Sequence, residues 1–184
     1  MISALGLAGG PQCVAVPICV CRGPSHRRGG PWPAARGGGQ HWLQQEPGVI
    51  ATTVGYTGGT KERPTYEDVC THTTGHAEAV EALYDPVRVS FEQLAKLFFE
   101  IHDPTQIDGQ GPDRGDQYWS AIFYVDEQQQ QTAEMLVAEL KSKGLNVVTQ
   151  VSAATRFWPA EDYHQDYFLN KGAAPPCHVR RKLW

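Results

Sequence analysis

"TTGHAEAVEALYDP", residues 73–86, decides how this chain folds. By composition it is helical, since Ala, Glu and Leu are good helix formers. Its brevity before Asp85-Pro86 fits a strand instead. In an extended chain Val80, Ala82 and Tyr84 share one face, so a strand results if tertiary packing overrides local preference. The stretch also sets a carboxylate, Glu78, at the mouth of an apolar run, just after a Thr-Gly turn. One Glu proves nothing without its surroundings.

The neighbouring segments are easier to read. "GVIATTVGYTGG", residues 48–59, is a β-branched run closed by Gly58-Gly59, the pattern of a strand entering a turn. "FEQLAKLFFEIHD", residues 91–103, is a helix: Ser90 and Gln93 make a capping box, and Phe91, Leu94, Leu97 and Phe98 fall on one face. "SAIFYV", 120–125, reads as a buried strand. "DEQQQQTAEMLVAELKSKG", 126–144, is a second helix with acids in its first turn, lysines in its last and Gly144 past its end. "NVVTQVS", 146–152, supplies another strand, and "AEDYHQDYF", 160–168, a short helix. Strands alternating with two long helices predict an α+β fold, a single-domain mixed-sheet α/β sandwich.

At 184 residues the chain suits one domain of ordinary size. Residues 1–45 carry four Arg and no Asp or Glu, so the rest holds a net charge of −8 out of a total of −4, which argues against nucleic acid as a partner. No apolar run approaches the roughly 18 residues of a membrane span. Five cysteines at irregular spacing fit neither a disulfide framework nor a paired zinc site, and point to a reducing compartment, the cytoplasm. Residues 1–45 hold nine of the nineteen Gly and five of the thirteen Pro, with no period of either kind, and no secondary structure is expected there. The Gly and Pro content also works against the amphipathic helix of an organelle transit peptide. The expected division is an irregular segment over 1–45 and one domain over 46–184 with a flexible C-terminal tail.

The chemistry sits in five short motifs: "GYTGG" (55–59), "TYEDVC" (65–70), "TGHAE" (74–78), "HDPTQIDGQGPDRGDQYWSAI" (102–122) and "FWPAEDYHQDY" (157–167). In this order, over residues 47 to 167, they resemble the type A methionine sulfoxide reductases, the peptide-methionine (S)-S-oxide reductases. The resemblance implies reduction of free or protein-bound methionine-(S)-sulfoxide. The sulfoxide oxygen leaves only once protonated, and Glu78 matches the family's acid; burial at an apolar strand edge would favour its protonated form. Tyr66 and Tyr118 match two phenols that hydrogen-bond the oxygen, and Asp113 a further polar position that anchors substrate and water. Trp119 departs from the family, which usually has Arg there.

The resemblance also implies a cysteine nucleophile in Gly-Cys-Phe-Trp, thirteen residues before the Gly-Val of the first strand. Counting back from Gly48 places Ala35 at that position, so the thiol is absent. Codons for "WPAARGG", residues 32–38, read one base earlier allow Leu-Ala-Gly-Cys, with a Trp two residues on if Arg36 is CGT. Residues 1 to about 40 are thus expected to be an out-of-frame reading that rejoins the true frame near "HWLQQ". The alternative is a genuine N-terminus on an inactive relative, one that binds oxidised methionine or serves as an interaction protein.

By the same resemblance no cofactor or metal is bound, a second cysteine resolves the sulfenic acid, and thioredoxin or another thiol is the reductant. Cys177 in "KGAAPPCHVRRKLW" is the candidate resolving thiol, on a basic segment able to swing inward; a plain surface cysteine has the same features. The partners implied are methionine sulfoxide, free or in proteins, and thioredoxin, with no nucleic acid and no membrane, the protein itself a monomer. Two other readings concern Cys70. With His72, His76, Glu78 and His102 it offers zinc-ligand types, but at a spacing that matches no common zinc pattern, and His76 more plausibly fixes a turn. A Cys-His hydrolase on Cys70 has no support beyond residue type.

Overall fold

Residues 77–84 are a strand, and its place in the sheet explains why. The computed structural model describes residues 12–16, 36–107, 109–110, 113–114, 119–173, 175 and 180–184, with 12–16, 36–37, 109–110 and 113–114 described by backbone alone. In chain order the elements are β1 (Gln12–Val16), α1 (Arg36–Leu43), β2 (Val49–Thr57), α2 (Tyr66–Val69), β3 (Ala77–Tyr84), α3 (Phe91–Ile101), β4 (Gly109–Gln110), β5 (Asp113–Arg114), β6 (Ala121–Tyr124), α4 (Glu127–Ser142), β7 (Gln150–Ala153), β8 (Trp158–Pro159), a 3-10 turn (Asp162–His164) and α5 (Tyr167–Lys171). Six strands form one sheet in the order β7-β6-β1-β3-β2-β8, and β4 and β5 pair separately. The β6–β7 pair is parallel and the others antiparallel, so the sheet is mixed and the fold α+β.

β3 lies between β1 and β2. It pairs with β2 from Ala77 opposite Thr57 to Tyr84 opposite Val49, and with β1 from Val80 opposite Val16 to Tyr84 opposite Gln12. Val80, Ala82 and Tyr84 are fully buried in one core with α3 and α4, while Ala77 joins Ala121 and Phe123 in a smaller cluster on the other side. Helix propensity is worth a few tenths of a kcal/mol per residue, whereas burying each large apolar side chain contributes about 1.5–3 kcal/mol. Packing therefore decides.

α3 follows the predicted pattern. Ser90 Oγ accepts from the Gln93 N–H at 3.2 Å and Gln93 Oε1 accepts from the Ser90 N–H at 2.8 Å. Leu94, Leu97, Phe98, Phe99 and Ile101 are all buried. α4 likewise starts at an Asp126 cap, with Gln129 N–H donating at 2.8 Å, and turns at Gly144 with φ +89°.

Three expectations are corrected. β7 begins at Gln150, not at Asn146, because the Val148 N–H bonds the Pro104 carbonyl (2.9 Å) and Thr149 Oγ1 meets Ser120 Oγ (2.8 Å), which docks 146–149 against the loop after α3. The segment 160–168 is not one helix but a 3-10 turn and the start of α5, parted at Asp166, whose φ of +52° no helix accommodates. Within 1–45, residues 12–16 form a strand and 36–43 a helix, so the expectation of no regular structure fails there. Sequence-distant bonds hold that helix: Gln40 Oε1 accepts from the Asp166 N–H at 2.8 Å, Gln44 Nε2 donates to Asp166 Oδ1, and Leu43 is fully buried.

The last five residues bond α3 and the end of α4. Arg180 Nε donates to Glu100 Oε2 and the Arg181 N–H to the Glu100 carbonyl, both at 2.7 Å. Lys143 Nζ donates to the Leu183 carbonyl at 3.1 Å and lies 4.7 Å from the Trp184 ring.

Candidate active site

The "GYTGG" and "TGHAE" motifs interlock. The Gly59 N–H donates to His76 Nδ1 at 3.1 Å, which makes the other ring nitrogen the protonated one, and Nε2–H donates to the Lys61 carbonyl at 2.7 Å. The buried ring thus pins the turn after β2 to the start of β3, the turn-fixing role expected of His76. Two glycines are required by space. A Cβ on Gly59 would stand 2.4 Å from the Thr74 carbonyl oxygen, and one on Gly55 would stand 2.3 Å from that of Trp158, where β8 crosses β2.

Two residues beyond His76, Glu78 is 2 % exposed and lies directly across the strand pair from Tyr56, itself fully buried. Tyr66 opens α2 as its first helical residue. Thr65 caps that turn: Thr65 Oγ1 accepts from the Asp68 N–H at 3.2 Å and Asp68 Oδ2 accepts from the Thr65 N–H at 2.9 Å. Hydrogen bonds from Lys61 and Thr65 hold the Asp68 carboxyl down to about 2.

One corner, residues 161–166, ties these parts together. Glu161 Oε1 accepts from the Tyr66 N–H at 2.8 Å and Oε2 from the Tyr56 hydroxyl at 3.0 Å. Burial opposes ionisation of Glu161, but these bonds, its own backbone N–H and nearby His164 outweigh it and hold the carboxyl below the usual range. His164 is fully buried, its ring 5.1 Å from that of Tyr66 and its Nε2 3.6 Å from Glu161 Oε2. Gln165 completes the edge of β2 as a strand would, accepting from the Val54 N–H and donating to the Val54 carbonyl, both at 2.9 Å. Asp166 receives α1 through Gln40 and Gln44. The same corner therefore fixes α1, α2 and β2.

Of the site residues expected from sequence, Glu78 and Tyr66 stand in neighbouring elements of this region. Asp113 begins β5, which is described by backbone alone. Tyr118, Cys177 and Ala35 lie outside the described residues; position 35 immediately precedes α1. Trp119 packs edge-on to Phe123 with ring centres 5.9 Å apart. Cys70 is half-buried at the C-terminal end of α2. No group of three His, Cys, Asp or Glu able to hold a metal is present among the described residues. Both nitrogens of His76 are engaged, and so are those of His102, whose Nδ1–H donates to the Phe98 carbonyl at 2.5 Å while Nε2 accepts from Ser120 Oγ at 2.8 Å. Neither ring has a lone pair left for a metal in this arrangement. The sequence reading missed Tyr56, Glu161, His164, Gln165 and Gln40. The density of polar residues in "PAEDYHQD" is the one local sign of the corner.

A family model described as Peptide methionine sulfoxide reductase matches residues 37–183. The Peptide methionine sulfoxide reductase MsrA of Nocardia farcinica is 47% identical over 150 residues, covering 80% of this chain and 86% of that protein. Among solved structures, methionine sulfoxide reductase A of Corynebacterium diphtheriae matches with a TM-score of 0.72 at 32% identity, over 89% of this chain and 76% of that one. Mxr1 from Saccharomyces cerevisiae in reduced form matches with a TM-score of 0.78 at 26% identity, over 98% and 100% of the two chains. The same yeast protein in complex with Trx2 matches with a TM-score of 0.58 at 20% identity over 94% and 91%, a likeness of fold alone.

Proposed function

This chain belongs to the peptide methionine sulfoxide reductase family, and on that premise we propose that it is built to reduce methionine-(S)-sulfoxide, free or in proteins, to methionine. The observation that carries the reading is Glu78: a carboxyl group 2 % exposed, at the end of a central strand, across from buried Tyr56, which Glu161 links to the Tyr66 amide. A buried acid with phenol donors nearby suits an acceptor oxygen that is only partly charged.

In the proposed reaction a thiolate attacks the sulfoxide sulfur while Glu78 gives its proton to the oxygen. The attack forms an S–S bond; with a second proton from solvent the oxygen departs as water, and a water then attacks the cysteine sulfur, breaks the S–S bond, releases methionine and a proton, and leaves a sulfenic acid. A second thiol condenses with it, releasing water and forming a disulfide, and the thioredoxin dithiol reduces that bond in exchange for its own oxidation. Tyr66 and Tyr118 donate to the departing oxygen, Asp113 anchors substrate, and Cys177 is the resolving thiol. Cytoplasmic residence as a monomer belongs to the same proposal.

The attacking thiol belongs at position 35, the residue that precedes α1 in the sequence. Ala35 stands there. That residue favours a second reading, an inactive relative that keeps only the oxygen-binding half. Turnover of a Met-(S)-sulfoxide peptide with dithiothreitol separates the two. We expect none from the chain as written, and activity once Pro33→Ala, Ala34→Gly, Ala35→Cys, Arg36→Phe and Gly37→Trp are introduced. In that background Glu78→Gln lowers kcat by about 10²–10⁴-fold. A folded but inert restored chain refutes the reductase reading, and turnover by the unrestored chain refutes the assignment of position 35.

A further inference from the structure

We propose that Glu161 is a positioning residue, whose carboxylate brackets Tyr66 to the sheet opposite Glu78 so that phenol and acid meet one oxygen; this rests on the reading above. The bracket is built from two bonds to different elements. Oε1 accepts from the Tyr66 N–H at 2.8 Å, and Oε2 accepts from the hydroxyl of Tyr56, the cross-strand partner of Glu78, at 3.0 Å. The first amide of a helix has no acceptor within that helix, so α2, only four residues long, needs an outside group to fix its start. Its own capping box serves Thr65 and Asp68.

The carboxylate is itself held in place. The His164 N–H returns to the Glu161 carbonyl at 2.9 Å, and Gln165 and Asp166 fasten the same corner to β2 and α1. The His164 ring backs the Tyr66 ring at 5.1 Å, which limits where the phenol can swing. Bonds to an ionised acceptor are roughly twice as strong as neutral ones, and one carboxylate can accept both. An amide at this position keeps the bond from Tyr66 and meets the Tyr56 hydroxyl with an N–H, to which that oxygen can act as acceptor. Alanine keeps neither.

The test uses the full chain and its Glu161→Ala and Glu161→Gln variants. Two quantities are read: hydrogen exchange at individual amides by NMR, and the Kd for N-acetyl-methionine-(S)-sulfoxide methylamide. We expect Glu161→Ala to speed exchange at Tyr66 by about tenfold while Thr65 and Asp68 change little, and Glu161→Gln to restore Tyr66 to within about threefold of the parent. We expect the Kd to rise about tenfold with Ala and to recover with Gln. Equal Tyr66 exchange in all three chains, equal acceleration at Thr65 and Asp68, or a Kd that ignores the substitutions overturns the proposal. Absence of saturable binding by the parent, with Tyr66 exchange responding as stated, refutes oxygen binding by the unrestored chain and upholds the bracket.

Discussion

Replacing Gly59 with alanine tests the interlock between the two turns that lead to Glu78. Gly59 has an ordinary negative-side backbone, so the cost is one of space alone. The new Cβ would lie 2.4 Å from the Thr74 carbonyl oxygen and 2.5 Å from both the His76 amide nitrogen and ring carbon Cγ, where ordinary contact begins near 3.4 Å. The turn must therefore back away by about 1 Å. That movement stretches the Gly59 N–H bond to His76 Nδ1, now 3.1 Å, and the Thr60 N–H bond to the Thr74 carbonyl, now 3.0 Å, beyond useful length. Two lost bonds at about 0.5–1.5 kcal/mol each, and a buried ring nitrogen left without its donor at about 1–3 kcal/mol, sum to about 2–6 kcal/mol. Domains have about 5–15 kcal/mol in reserve, so Gly59→Ala should remain folded but shift the urea midpoint far down. Gly144→Ala is the matched control: its φ is +89° with nothing within 4 Å, so it bears backbone strain alone, about 1–2 kcal/mol. A loss below about 1 kcal/mol for Gly59→Ala, or one no larger than for Gly144→Ala, refutes the interlock.

Leu97→Ala removes a side chain 1 % exposed in the main core and should lower stability by about 2–5 kcal/mol in the same urea assay, unless the core collapses onto the gap. Ser90→Ala deletes the α3 cap and should cost about 1 kcal/mol, with Ser90→Gly costing only a few tenths. Lys61→Ala takes away the main cause of the low Asp68 titration, so the carboxyl midpoint, read by carbon NMR, should climb from about 2 toward 3.8. Because that carboxyl is depressed in the folded chain, its help to the α2 cap is complete above pH 3.8 and fades as pH falls toward 2; in Lys61→Ala the fading should begin at the same pH but be smaller and end higher. An Asp68 midpoint unmoved by the substitution contradicts the cause given.

The parts of the fold that sequence made legible are those whose signals are local. The Ser90–Gln93 box, the buried spacing from Leu94 to Ile101 and the Asp126 cap lie within a turn or two of the helices they start, so α3 and α4 stand where the pattern puts them. β3 was undecidable because its two outcomes differ only in what packs against it, and the strands that flank it come from elsewhere in the chain. α1 was hidden by its own composition. "RGGGQHWL" carries three glycines, each costing a helix about 1 kcal/mol, and no window of propensity could favour it. It is helical because Leu43 is buried and Gln40 and Gln44 bond a corner more than 120 residues away.

That corner also shows why the supports of a site are harder to read than its reactive groups. Glu78 and Tyr66 could be singled out because each sits in a short motif of fixed neighbours. Glu161 sits in one too, yet its partners are 95 and 105 residues distant, on α2 and β2, and Gln165 reaches 111 residues back to Val54. Such bonds leave no period and no spacing in the chain; what they leave is a cluster of polar residues whose local use is poor. In "PAEDYHQD" the side chains of Glu161 and Gln165 and the backbone N–H of Asp166 bond other elements, Gln165 reaching the Ala160 carbonyl as well, and the segment itself keeps only a single 3-10 turn. A polar-dense stretch with little secondary structure of its own is thus a sign of a hub. By that criterion a loss at Glu161 should free the Tyr66 amide from its tie to β2, and a loss at Gln165 should loosen the edge of β2 at Val54, whereas a loss at Glu78 should disturb chemistry and leave both ties in place.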